Sequence, residues 1–261
     1  MGDPAETTTL VRLGGPHPIA SGIYCPNDMA IGERFDFTAR EGPLSGRTHP
    51  VHAFGDAADP PVLVMHELFG LSPGNIAFAE HLAAAEPGYR VYVPVLFGTP
   101  GRSSYLGLLG SKICLRREFV IFRSGRSSPI VTWMRELIAD VSRRHGGRDL
   151  GVIGMCFSGG FVLGMIADES VAIGIASQPS LPFPVLRSLV PSVQRDLGLG
   201  PEDLDAARTG SVPLTLLRYG DDWMCPRQRG EKAATMFGGV GSPVPDRDGV
   251  SVAEGDRMTL V

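Results

Sequence analysis

The sequence is poor in cysteine, and its four cysteines, Cys25, Cys114, Cys156 and Cys225, stand far apart. That excludes a disulfide framework and a C-x-x-C metal site, and it makes a reducing cytoplasm the simplest setting. Long apolar runs are absent; none approaches the ~18 residues of a membrane span. The first ten residues hold Asp3 and Glu6 but no Lys or Arg, so they lack the basic start of a secretion signal. Positive charge is not in excess. The formal net charge is -4, which gives no electrostatic reason to bind nucleic acid or an anionic membrane. No P-loop Gly-Lys-Ser/Thr occurs, which disfavours a phosphate-cradling nucleotide site. Histidine is missing from the whole C-terminal part. All six (His17, His49, His52, His66, His81 and His145) precede Cys156.

What is present suits a sizeable core. The 261 residues are 43% apolar and 20% charged, enough for one large α/β domain. Residues 1–59 are rich in Pro, Gly and Thr, with strand-like stretches at 35–39 and 50–54. The apolar run Pro61–Met65 then reads as a strand buried on both faces. Residues 73–85 read as a helix, with Ser72 as N-cap and Pro73 at its first position. Further strands are expected at 90–96, 149–155, 171–176 and 212–218, and helices at 130–145, 158–168, 202–207 and 229–236. The helix at 130–145 places Trp133, Leu137, Ile138 and Val141 on one face. Residues 97–128 read as a basic excursion from the scaffold, and a strand is possible at 250–253. Strands alternating with helices predict a mostly parallel sheet covered on both faces, a three-layer sandwich. No linker divides the chain, so 1–261 reads as a single domain with an irregular start and an atypical tail at 238–261.

The segment that carries chemistry is Gly154-Met155-Cys156-Phe157-Ser158-Gly159-Gly160. A strand runs into it and a helix runs out, the setting of a nucleophile elbow. Small residues must flank so sharp a turn. Gly154 and Gly159 meet that need, while Ser158 stands where glycine is usual. A cysteine at a helix N-terminus is expected to favour the thiolate. The N–H of Phe157 is placed to meet a developing oxyanion. A buried cysteine in a glycine-rich turn is the competing explanation. Dinucleotide binding is disfavoured, because this turn lacks G-x-G-x-x-G.

Two other segments follow strands in the right order. His66-Glu67-Leu68-Phe69-Gly70 follows Pro61–Met65, and Tyr219-Gly220-Asp221-Asp222-Trp223-Met224-Cys225-Pro226 follows the strand at 212–218. With the cysteine elbow, these resemble the dienelactone hydrolase family of α/β-hydrolases. The resemblance spans about residues 60–178 and 211–237 and is specific only at these motifs. It implies an α/β-hydrolase fold and hydrolysis of a carboxylic ester or lactone, with no cofactor and no metal. Cys156 would attack the carbonyl, and Glu67 would contact its thiol. The N–H groups of Leu68 and Phe157 would form the oxyanion hole, and Asp222 would be the triad acid. The alternatives for the carboxylates are an ion-paired turn residue for Glu67 and a helix-capping turn for Asp222.

The match fails at the triad histidine, which the family carries after its acid. No histidine follows Asp222, and Val250 falls roughly where one is expected. Three explanations stay open: a tail foreign to the family, through truncation or a shifted frame; a catalytically silent binding protein; or another base, for which His66 is the candidate. His49 and His52 read as surface or packing histidines, and Arg143, Arg144 and Arg148 as a solvated helix end. Arg116, Arg117, Arg123 and Arg126 read as a basic loop that could overhang the site.

Overall fold

The computed structural model describes residues 31–102, 118–119, 125–182, 194–219 and 222–238, and the backbone of three short strands beyond them. Its strands are β1 (Glu33–Thr38), β2 (Thr48–Phe54), β3 (Pro61–Met65), β4 (Arg90–Pro94), β5 (Leu150–Met155), β6 (Val171–Ser177), β7 (Leu214–Leu217), β8 (Val244–Pro245), β9 (Ser251–Glu254) and β10 (Met258–Leu260). The helices are α1 (Pro73–Ala83), α2 (Pro129–Arg144), α3 (Gly159–Met165), α4 (Pro201–Thr209) and α5 (Arg227–Met236). The strands form one sheet in the order β1-β2-β4-β3-β5-β6-β7-β10-β9-β8. From β4 through β7 and on to β10 every neighbouring pair is parallel. The antiparallel pairs lie at the two margins.

The period of two along each central strand divides the core between the sheet's faces. Val62 and Val64 of β3, with Val91 and Val93 of β4, pack with Ile76 and Ala79 of α1. Leu63 and Met65, the alternate residues of β3, pack on the other face with Trp133, Leu137, Ile138 and Val141 of α2. All five residues of β3 are therefore buried, as its unbroken apolar run requires. Helix α1 starts on a reciprocal capping box. Ser72 Oγ accepts from the Asn75 N–H, and the Asn75 side chain accepts from the Ser72 N–H. Both arginines at the end of α2 pair with Asp140, at 2.9 Å for Arg143 and 2.8 Å for Arg144, and remain largely in solvent.

Of the two readings for His49 and His52, surface or packing, the structure bears out packing, since both are buried. His49 packs edge-on against Trp133, and His52 sits 2.6 Å from the Ile31 carbonyl. In the tail that reads as atypical, β10 pairs with β7 and so extends the sheet. Most of the 97–128 excursion, with Arg116, Arg117 and Arg123, lies outside the described residues, and so does Val250.

Candidate active site

The site assembles at the C-terminal ends of β3, β5, β6 and β7, which lie side by side. Cys156 follows β5 with φ +52°, a left-handed conformation that costs a β-carbon residue about 1 kcal/mol or more. Its neighbours show why the turn must be so tight. A β-carbon on Gly154 would lie 2.5 Å from the Ser158 carbonyl oxygen, and one on Gly159 would lie 2.8 Å from that of Ser177. Ser158, in the usual glycine position, does more than fit. Its buried Oγ accepts the Met155 N–H at 3.0 Å and lies 3.1 Å from the Met65 carbonyl, to which it can donate. One hydroxyl thus joins the elbow to the end of β3.

Neither the Leu68 N–H nor the Phe157 N–H donates to a backbone carbonyl among the described residues. The Phe157 N–H faces the Cys156 thiol. The Phe157 ring is buried edge-on between Phe97, Phe119 and Phe161, with centroids 5.6, 5.4 and 5.1 Å away. That apolar wall fixes the residue behind the nucleophile.

His66 is not a general base. It is fully buried, and both ring nitrogens are engaged. Nε2 accepts the Leu96 N–H at 3.0 Å, so the proton sits on Nδ1, which donates to the Glu67 carbonyl at 2.8 Å. Burial pushes its pKa down to about 4, so the ring stays neutral. The histidine that the sequence offered as a substitute base instead braces the loop holding Glu67 and Leu68.

The thiol also departs from expectation. Burial raises the Cys156 pKa above its ordinary value, outweighing the Ser180 hydroxyl and the Phe157 N–H, which favour the thiolate. The charges of Glu67 and Asp222 raise it further. Both candidate carboxylates are thus within electrostatic reach of the thiol. The side-chain hydrogen-bond partner of Sγ, however, is Ser180 Oγ at 3.6 Å, a residue with no sequence signal. Burial therefore works against the thiolate that the start of α3 is expected to favour.

Asp222 accepts the N–H groups of Met224 and Cys225 through Oδ1, at 2.8 and 3.1 Å. It holds its own turn, and Cys225 behind it is buried, with its thiol pushed up to about 12. Arg229, one turn into α5, is buried and donates to the carbonyls of Pro179 and Pro182 at 2.8 and 2.9 Å. Among the described residues no group of three or more His, Cys, Asp or Glu could hold a metal ion, and no helix is long and apolar enough to cross a membrane.

This strand order and elbow define an α/β-hydrolase fold. No family model matches the sequence, and no curated protein matches it. Solved structures do. A candidate dienelactone hydrolase from Klebsiella pneumoniae is similar with a TM-score of 0.52 and 17% identity, covering 78% of this chain and 80% of that one. A candidate aryl esterase from Burkholderia cenocepacia is similar with a TM-score of 0.50 and 14% identity, covering 78% and 86%. At such identities the likeness establishes the fold.

Proposed function

We propose that the chain is a hydrolase of carboxylic esters or lactones, similar to dienelactone hydrolases, whose nucleophile is Cys156 and whose acylation outruns its deacylation. The observation that carries this reading is the φ of +52° at Cys156 in a strand-turn-helix elbow, strain that a purely structural cysteine has no use for. The thiolate attacks the ester carbonyl, and the N–H groups of Leu68 and Phe157 receive the oxyanion. Collapse expels the alkoxide, which takes a proton from water, and leaves a thioester on Sγ. Glu67 sets the charge beside the thiol, and Asp222 stands where the acid of a triad belongs. No histidine follows Asp222 in the sequence, so water attacking the thioester finds no base, a loss of several orders of magnitude. A raised thiol pKa makes acylation climb with pH until the thiolate is fully formed.

The test is release of p-nitrophenol from p-nitrophenyl acetate, whose leaving group needs no acid. One equivalent released quickly, then a slow phase, with both absent in Cys156→Ala, is the expected result. Sustained turnover lost in the variant would mean that another group replaces the base. No difference from the variant would overturn the reading. It would favour the second one, a binding protein with a protonated thiol, supported by the upward push on Cys156 from burial and, after it, from both carboxylates.

A further inference from the structure

Beside Cys156 lies a polar device that the reaction above does not use. Its first part is the loop after β6. The Cys156 N–H donates to the Ser177 carbonyl at 2.8 Å, and the Ser180 N–H donates to the Cys156 carbonyl at 3.1 Å. Between them Gln178 takes φ +50°, the only non-glycine residue with positive φ besides Cys156 among the described residues. This strained loop carries the buried Ser180 to 3.6 Å from Sγ. Its second part is Arg229. The guanidinium is wholly buried, with no carboxylate in ion-pair contact among the described residues. It spends its donors on the carbonyls of Pro179 and Pro182, the residues on either side of Ser180-Leu181, and more weakly on Met224 at 3.4 Å. Burying a cation on carbonyls alone is costly, and removing it would leave those carbonyls unpaired. A guanidinium fork spanning two carbonyls around one serine fixes that serine's position.

We propose that Ser180 is a further catalytic residue, the hydroxyl that donates to the Cys156 sulfur as it becomes the attacking anion, and that Arg229 is the positioning residue that clamps it there. This rests on the reading of Cys156 as the nucleophile. The anion needs such a donor, because Glu67 from the β3 loop and Asp222 from the β7 loop both oppose it. The nearby Cys225 thiol stays protonated, and the Arg229 cation is turned to the loop carbonyls. Among the described residues, Ser180 and the Phe157 N–H are the groups that favour the charge.

The test reads the thiol itself, so it stands or falls apart from ester hydrolysis. The pH dependence of iodoacetamide alkylation at Cys156 is followed by peptide mass spectrometry in the wild-type protein, Ser180→Ala, Arg229→Lys and the double variant. Losing one hydrogen bond to a charged group should move the Ser180→Ala midpoint up by about one pH unit. Below both midpoints alkylation should slow about three- to fourfold, because a more basic thiolate is also the better nucleophile. Arg229→Lys should move the midpoint the same way, and the double variant should move it no further than Ser180→Ala alone. A purely structural Arg229 would lower stability without that non-additivity. An unchanged midpoint in Ser180→Ala overturns the proposal, whatever Arg229→Lys does. Additive shifts overturn the clamp.

Discussion

The two sides of the candidate site are built differently. On the nucleophile side, separate side chains hold the working groups. Ser158 joins β5 to β3, and His66 joins the oxyanion loop to the end of β4. On the acid side, Asp222 uses Oδ1 to hold its own turn, and no histidine follows it in the sequence. On the proposed reading, one side is preorganised to receive a carbonyl carbon and its oxyanion. The other is a self-satisfied turn. Forming an acyl-enzyme and clearing it are then separable properties, and the proposal gives this chain the first.

Breaking the nucleophile side should have the largest effects. Gly154→Ala forces a β-carbon to within 2.5 Å of a backbone oxygen and 2.7 Å of Val162 Cγ2, so it should destabilise the fold by ~3 kcal/mol or more in urea unfolding and abolish the burst. His66 gives the next effect, through pH. Its folded pKa, about 4, lies below the ordinary 6.5, so the unfolded chain binds its proton first. The stability this contributes is present above pH 6.5 and is lost as pH falls toward 4, by up to ~3 kcal/mol. Urea midpoints across that range should fall less steeply in His66→Gln than in the wild type; equal slopes would show that His66 is not the buried titrating group.

Ser158→Ala leaves the Met155 N–H without its acceptor, which should cost about 2 kcal/mol and slow the burst. The smallest effect sharpens the contrast best. Asp222→Asn keeps an oxygen for the Met224 and Cys225 N–H groups, so stability should change by less than about 0.5 kcal/mol. Removing its charge should leave the burst amplitude unchanged and slightly ease thiolate formation. A loss of about 10⁴-fold, as triads suffer when their acid is removed, would show that Asp222 is orienting a base after all.

Much of this frame is legible in the chain. The run Pro61–Met65 emerges as β3 to the residue, because a strand buried on both faces has no polar positions to blur its ends. Ser72-Pro73 marks the start of α1 through capping chemistry that is local. The elbow is legible for the same reason, since its steric demand falls on adjacent residues. What sequence reasoning missed is non-local. Nothing in Arg227-Gln228-Arg229 says that the second arginine turns inward, as that depends on carbonyls near residue 180. Ser180 reads as one more loop serine until β5 and β6 are laid side by side. The upward push of burial on the Cys156 thiol escaped as well, because a helix terminus is visible in sequence while desolvation is not.

The clamp from α5 onto the loop after β6 also sets an order in time. Cys156, Ser180 and Arg229 come from separate crossovers of a parallel sheet, whose non-local pairings form late in folding. During synthesis the cysteine emerges well before the arginine that fixes its neighbour's place. A newborn chain therefore carries this thiol before the serine and the arginine that surround it have been made. Completing α5 is the event that closes that interval.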